Sequence, residues 1–324
     1  MIIKAISKKI KFPEMNLKSM VFSALMVFLA GQSFAQYEPH FTQYLNNEMF
    51  INPAYAGSRG YAASSLLYRD QWVGIEGAPR TATFNFHMPF MREMNGAGIC
   101  VLNDRIGVTN QTAVFLNAAH HIKTSDYGTL SLGLQGGIIN VEENLLDLII
   151  IEPNDPEFAN NIHNKLMPNF GFGSYYHTDR FYVGLSVPRF LENKIDPVTL
   201  KSVANRVNLK YWHYYLYSAY VLDVSDDIKL KPSTMVKAVS GAPLEADITV
   251  NALFKELFWI GASYRTGDAV ALITQYQLTK QLRFGYSYDY TLTKLNNYSS
   301  GTHEFTIGYD FSFDKAKVVT PRYF

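Results

Sequence analysis

Between residues 282 and 313 apolar and polar side chains alternate with period two over two successive segments, which restricts this stretch to β-strands. Leu282, Phe284, Tyr286, Tyr288 and Tyr290 form one face of the first segment; Arg283, Gly285, Ser287, Asp289 and Thr291 form the other. In the second, Phe305, Ile307, Tyr309, Phe311 and Phe313 stand opposite Glu304, Thr306, Gly308, Asp310 and Ser312. Neither apolar face carries a charge. The division recurs upstream, at Ile248, Val250, Ala252 and Phe254, at Phe258, Ile260, Ala262 and Tyr264, at Phe84 and Phe86, and at Leu130, Leu132, Leu134 and Ile138. Charges collect on the opposite faces: Arg69, Lys229, Lys237, Asp247, Lys255, Arg265, Arg283, Asp289, Glu304 and Asp310, both signs together.

Such segments begin near residues 61, 80, 96, 110, 128, 168, 180, 210, 227, 246, 257, 268, 280 and 302. The expected fold is all-β, a transmembrane outer-membrane β-barrel of about 14 antiparallel strands, an even count within the known range. Connection lengths agree. The long ones, 71–79, 141–167, 188–209 and 292–301, follow odd strands, and the short ones at Thr178–Arg180, Lys255–Glu256 and Thr279–Lys280 follow even strands. Barrels of this type have long loops outside and short turns on the periplasmic side. An exported β-sandwich would alternate as well. The barrel is favoured because the apolar face is rich in Tyr and Phe and lacks Lys and Arg, which cost ~2–4 kcal/mol each at the bilayer midplane. Aromatics make up 15% of the chain, with 22 Tyr and 22 Phe but 3 Trp.

Residues 1–35 read as a signal peptide. Met20–Gly31 is an apolar run preceded by lysines at 4, 8, 9, 11 and 18 and followed by Ser33-Phe34-Ala35, a small-x-small cleavage site. A start at Met15 would give a more compact signal than one at Met1. Removing five lysines and one glutamate from 29 basic and 28 acidic groups leaves 24 and 27, a net charge of −3. That balance, without a basic cluster, argues against a nucleic-acid partner. No later apolar run approaches 18 residues, so no transmembrane helix is expected. Residues 36–60 hold the turn signals Asn52-Pro53 and Ala56-Gly57 and are either a plug in the barrel or a periplasmic lead-in. The barrel is assigned to 61–313 and a tail to 314–324.

Enzyme signatures are missing: no G-x-S-x-G, H-E-x-x-H, P-loop or G-x-G-x-x-G appears. No catalytic residue, cofactor or metal is expected. The single Cys100 cannot form an internal disulfide. His120 and His121 are adjacent and point to opposite faces of a strand, while His87, His177 and His213 fall on different strands. The acidic 141–167 connection, with Glu142, Glu143, Asp147, Glu152, Asp155 and Glu157, lacks the spacing of a calcium loop. Its apolar cluster, Leu145 to Ile151 broken by Asp147, either contacts a partner or folds inward over the barrel.

The blocks Ile51-Asn52-Pro53-Ala54-Tyr55-Ala56-Gly57, Leu67-Tyr68-Arg69-Asp70-Gln71-Trp72-Val73-Gly74 and Gly77-Ala78-Pro79-Arg80-Thr81 resemble the opening signature of the PorP/SprF family. The resemblance continues through Lys231-Pro232-Ser233, Gly241-Ala242-Pro243-Leu244, Tyr264-Arg265-Thr266 and Tyr286-Ser287-Tyr288-Asp289-Tyr290. It ends with Ser300-Gly301-Thr302-His303-Glu304, where the family often has Ser for Thr302, and with Pro321-Arg322-Tyr323-Phe324. It implies a non-enzymatic outer-membrane component of the type IX secretion and gliding systems of Bacteroidetes. The partners it implies are translocon or periplasmic ring subunits, a secreted adhesin-like cargo, or both, besides outer-membrane lipid. The competing function on the same fold is a passive channel or small-ligand transporter. By strand parity Tyr68 and Trp72 are expected to face lipid, and Arg69 and Gln71 the lumen. There Arg69 either pairs with Asp289 or Glu304 or contacts a translocating peptide. The signature positions Asn52, Pro53, Tyr68, Arg69, Gln71, Trp72, Pro79, Arg265, Asp289, His303 and Glu304 are thus expected to be structural or partner-facing.

Overall fold

The computed structural model describes residues 38–91, 93–148, 160–195 and 202–311. The expected signal peptide, Phe313, the Pro321–Phe324 block, the 314–324 tail and the Ile149–Glu157 part of the acidic loop lie outside them. No helix among the described residues is long and apolar enough to cross a membrane.

The described residues form seventeen strands: β1 (Ala63–Asp70), β2 (Arg80–Phe90), β3 (Asn95–Ile106), β4 (Thr109–Lys123), β5 (Thr129–Glu143), β6 (Ile162–His177), β7 (Phe181–Val187), β8 (Leu191–Ile195) and β9 (Ser202–Val207), followed by β10 (Tyr214–Tyr220), β11 (Leu222–Ser225), β12 (Ile228–Ala238), β13 (Glu245–Phe254), β14 (Phe258–Arg265), β15 (Ala269–Gln277), β16 (Leu282–Thr291) and β17 (Thr302–Asp310). β8 and β9 form a separate hairpin; the others pair antiparallel with their neighbours, β1 closes on β17, and β7 passes through β10 to β12. β10 and β11 are one strand interrupted at Val221, so the barrel has fourteen staves. Closure leaves no free edge, and every stave finds its ladder partner within the sheet, as lipid demands.

The predicted faces are the observed ones. In β16, Arg283, Gly285, Ser287, Asp289 and Thr291 are buried inside while Phe284 and Tyr290 are exposed outside. Leu116 and Leu166 are each 65% exposed and Leu134 63%. In water that would be an unsustainable apolar surface; in a bilayer it is the lipid-facing band. Leu102, Phe115, Ile139 and Met167 instead point inward and are buried, on strands whose faces do not divide cleanly by polarity.

Two strand limits differ from the sequence expectation. β6 begins at Ile162 rather than near 168, and β10 at Tyr214 rather than near 210. The added part of β6 carries His163, Lys165 and Pro168 among its apolar residues, so no alternation marks it, yet it ladders on β5 from Lys165 onward. The connection after β5 is therefore 144–161, and that after β7 runs to residue 213 because it contains the β8–β9 hairpin. Lys255 sits in the β13–β14 turn with φ +49°, as the short Lys255–Glu256 connection implied, and not on a strand face. At one rim the turns span two to five residues; the long connections 71–79, 144–161, 188–213 and 292–301 share the other.

Candidate functional site

The lumen is filled by the chain's own residues 38–62. This segment forms a 3-10 turn (Tyr44–Asn46), one turn of α-helix α1 (Glu48–Ile51) and a second 3-10 turn (Pro53–Tyr55). Its apolar side chains Phe41, Tyr44, Met49, Phe50, Ile51, Ala54 and Tyr55 are buried against inward residues of the wall, including Cys100, Phe115, Tyr175, Tyr182 and Tyr217. Glu38 lies at the long-loop rim, where its carboxylate meets Arg189 at 3.2 Å. Gly57, at the far end, lies against Gly96 beside the short β2–β3 turn. The segment thus traverses the barrel from rim to rim before β1 starts.

Asn52 explains the Asn-Pro signature. Its Oδ1 accepts the Ala54 N–H at 3.0 Å and caps the turn that Pro53 opens, and its Nδ2 donates to the Ser174 carbonyl of β6 at 2.9 Å. One buried amide therefore shapes the plug and ties it to the wall. Asn52→Ala should lower barrel stability by roughly 1–3 kcal/mol, since Ser174 loses its donor and Ala54 its acceptor. Asn52→Ser, which keeps a capping oxygen and loses the donor to Ser174, should fall between the two; urea unfolding of the three proteins checks the order.

The wall makes room for the plug with glycine. A Cβ at Gly96 would overlap the Ala56 carbonyl, one at Gly133 the backbone of Pro53 and Ala54, and one at Gly173 the Asn52 side chain. Gly57 itself has φ +76° and donates its N–H to His87 Nδ1 at 3.1 Å. There the close approach and the left-handed backbone together require glycine.

At its other end the plug is held by charge. Arg69 of β1 reaches Glu304 at 2.9 Å and Asp289 at 2.9 Å, all three at most 2% exposed. The Arg69–Glu304 pair follows from the closing register, in which the two residues are direct cross-strand partners. Arg265 contacts Asp247 at 2.9 Å, Asp268 at 3.3 Å and Asp289 at 3.5 Å. Thr42 joins both arginines: its hydroxyl accepts from Arg69 at 3.1 Å and Arg265 at 3.2 Å and donates to Asp289 at 2.6 Å. The backbone N–H groups of Thr42 and Gln43 donate to the two Glu304 oxygens at 3.0 and 2.6 Å. Near the opposite rim, Arg59 and Arg283 share Asp310 at 2.7 and 2.8 Å.

Of the signature positions, Arg69, Arg265, Asp289 and Glu304 meet in this one cluster, and Asn52 and Pro53 lie in the plug. Tyr68 faces outward, 42% exposed. The parity expected for Gln71 and Trp72 does not hold, because β1 ends at Asp70 and Trp72 adopts φ +50° in a turn. The Trp72 N–H donates to Thr302 Oγ1 and the Val73 N–H to the Gly301 carbonyl, which laces the first loop to the last, while the Gln71 N–H donates to the Pro79 carbonyl and closes the first loop on itself. His303 lies on the outer face between Tyr286 and Tyr288, with Nδ1 2.9 Å from the Tyr286 hydroxyl. Sequence reasoning missed Thr42, Gln43 and His40. They sit in a segment without periodicity, and all their wall partners but Arg69 lie more than 200 residues away.

Two cavities flank the plug and share no lining residue. One of about 310 Å³ opens at the long-loop rim between Glu38, Glu143, Ile162, Met167, Arg189 and the β8–β9 hairpin. The other, about 90 Å³, lies between Gln43, Arg59, Lys231, Gln275 and Arg283.

Solved structures with a similar fold include the monoaromatic hydrocarbon channel CymD, at TM-score 0.50 and 11% identity over 83% of this chain and 93% of that one. A FadL homologue of Pseudomonas aeruginosa aligns at TM-score 0.46 and 11% identity over 87% and 97%, and Omp33 of Acinetobacter baumannii at 0.43 and 9% over 78% and 98%. At such identities the likeness is one of fold alone, the outer-membrane β-barrel. No curated protein matches the chain. The family model for the type IX secretion system membrane protein PorP/SprF matches residues 33–309. That span takes in the plug, the arginine cluster and, but for the last residue of β17, all fourteen staves, and the chain belongs to the PorP/SprF family of type IX secretion system membrane proteins.

Proposed function

We propose that this protein serves type IX secretion as a closed, non-enzymatic docking barrel, binding translocon subunits, a secreted surface protein, or both. The observation that carries this reading is the plug: residues 38–62 occupy the lumen and are bonded to opposite sides of the wall through Asn52, Thr42 and Gln43. A lumen so occupied leaves the loops, turns and outer wall for contact with other proteins. The long connections and the β8–β9 hairpin, beside the 310 Å³ cavity, are the surface for a secreted protein; the short turns face the periplasmic machinery.

Affinity purification of the tagged protein from native outer membranes in mild detergent, followed by mass spectrometry, tests this reading. Translocon subunits or one large surface protein should be retained. Recovery of the barrel alone, together with steady ion conductance in a planar bilayer, would move the function to a passive channel.

A further inference from the structure

Where the plug passes β13, His40 Nε2 lies 2.7 Å from Glu245 Oε1 and 3.3 Å from Asp247 Oδ2. The three potential ligand atoms all fall within 4.8 Å of one another. A first-row metal ion held at about 2.0–2.2 Å needs donors roughly 3–3.6 Å apart, so small side-chain movements bring this triad to ligating distance. Arg265 Nε holds the other Asp247 oxygen, Oδ1, at 2.9 Å, which fixes the carboxylate and leaves Oδ2 turned to His40. Such a support is what a ligating carboxylate needs from its surroundings.

The charge balance around the triad points the same way. Glu245, Asp247, Asp268, Asp289 and Glu304 gather around Arg69 and Arg265, and Lys237 stands opposite Glu245 across the β12–β13 ladder, five carboxylates against three cations. Glu304 accepts from Arg69 and from two backbone N–H groups, as a charged carboxylate does. Two negative charges are left over, with only Asp268, one-third exposed, open to solvent, and uncompensated buried charge is costly. A divalent cation offsets both.

We propose that His40, Glu245 and Asp247 bind a divalent transition-metal ion that clamps the plug to β13 near the long-loop rim. One imidazole with two carboxylates suits zinc, manganese or ferrous iron better than magnesium or calcium, which take all-oxygen sets. Water completes the coordination, since His40 and Glu245 keep 13% and 15% side-chain exposure. The clamp does not depend on which partner protein the barrel serves.

The test uses the full chain, purified in detergent without a polyhistidine tag, treated with chelator and titrated with zinc or manganese in a calorimeter. One ion should bind per chain, and it should raise the unfolding temperature read by heat-modifiable gel migration. His40→Arg keeps a cation between the two carboxylates but cannot ligate, and Glu245→Gln removes a charged ligand. Each should weaken binding by about tenfold or more while the barrel still forms. Absence of saturable binding, or equal binding by the His40→Arg protein, overturns the proposal and leaves His40 as an ion-pair partner.

Discussion

Replacing Arg69 with alanine should destabilise the barrel by about 3–5 kcal/mol, the cost of stranding buried carboxylates without their cation. Asp289 and Glu304 are each at most 2% exposed, and both would remain among groups that cannot solvate them. Arg265, 3.5 Å from Asp289, compensates part of the loss at that residue and none at Glu304. The loss falls on barrel closure, because β1 and β17 are the first and last strands and Arg69 and Glu304 face each other across their seam. Denaturant unfolding followed by heat-modifiable gel migration gives the magnitude. A second protein, Arg69→Met with Asp289→Asn and Glu304→Gln, should recover part of the loss, because removing all three charges removes the stranded ones. If Arg69→Ala unfolds like the parent, the arginine has no closure role, and contact with a translocating peptide becomes the better account.

Gly133→Val should dislodge the plug while leaving the staves paired. The new side chain would occupy the space of the Pro53 and Ala54 backbone, which cannot yield as a flexible side chain would. Overpacking of this kind costs about 1–3 kcal/mol, and withdrawal of the segment relieves it without opening the barrel's own ladder. Cys100 reports the event. It is the only cysteine, 2% exposed, and part of the packed cluster that includes Met49 and Ala54. Its labelling by a small polar thiol reagent should rise sharply in Gly133→Val, and the protein should acquire conductance in a planar bilayer. Gly136→Ala is the control on the same strand: its Cβ would meet only the Phe170 ring, at 3.3 Å, and should leave Cys100 protected. Equal labelling of parent and Gly133→Val would show that the plug is not held by this close fit.

The barrel was legible because lipid imposes one rule on every stave. Outward residues must be apolar, so Phe284, Tyr290, Phe305 and Ile307 declare their face wherever the strand crosses hydrocarbon. The rule lapses beyond the lipid, and there the reading failed, at the start of β6 and at the β8–β9 hairpin inside a connection taken as one loop. Inward residues obey no such rule. Leu102, Phe115, Ile139 and Met167 point into the lumen because the plug gives them an apolar surface to cover, which period two cannot reveal. The pairing of Arg69 with Glu304 could be anticipated from closure, since the first and last strands must adjoin.

The sequence by itself determined the class of fold, the number of staves, the lipid-facing side of those that alternate cleanly and the family, because these depend on local periodicity and on short residue blocks read in chain order. Tertiary structure alone decided that residues 38–62 run through the lumen, that Thr42 and Gln43 complete the arginine cluster, and that His40 comes to lie beside Glu245 and Asp247. The physical reason is sequence separation. The plug's partners stand up to 263 positions away, on strands brought together only when the barrel closes, and a segment that packs on the surrounding wall needs no periodicity of its own.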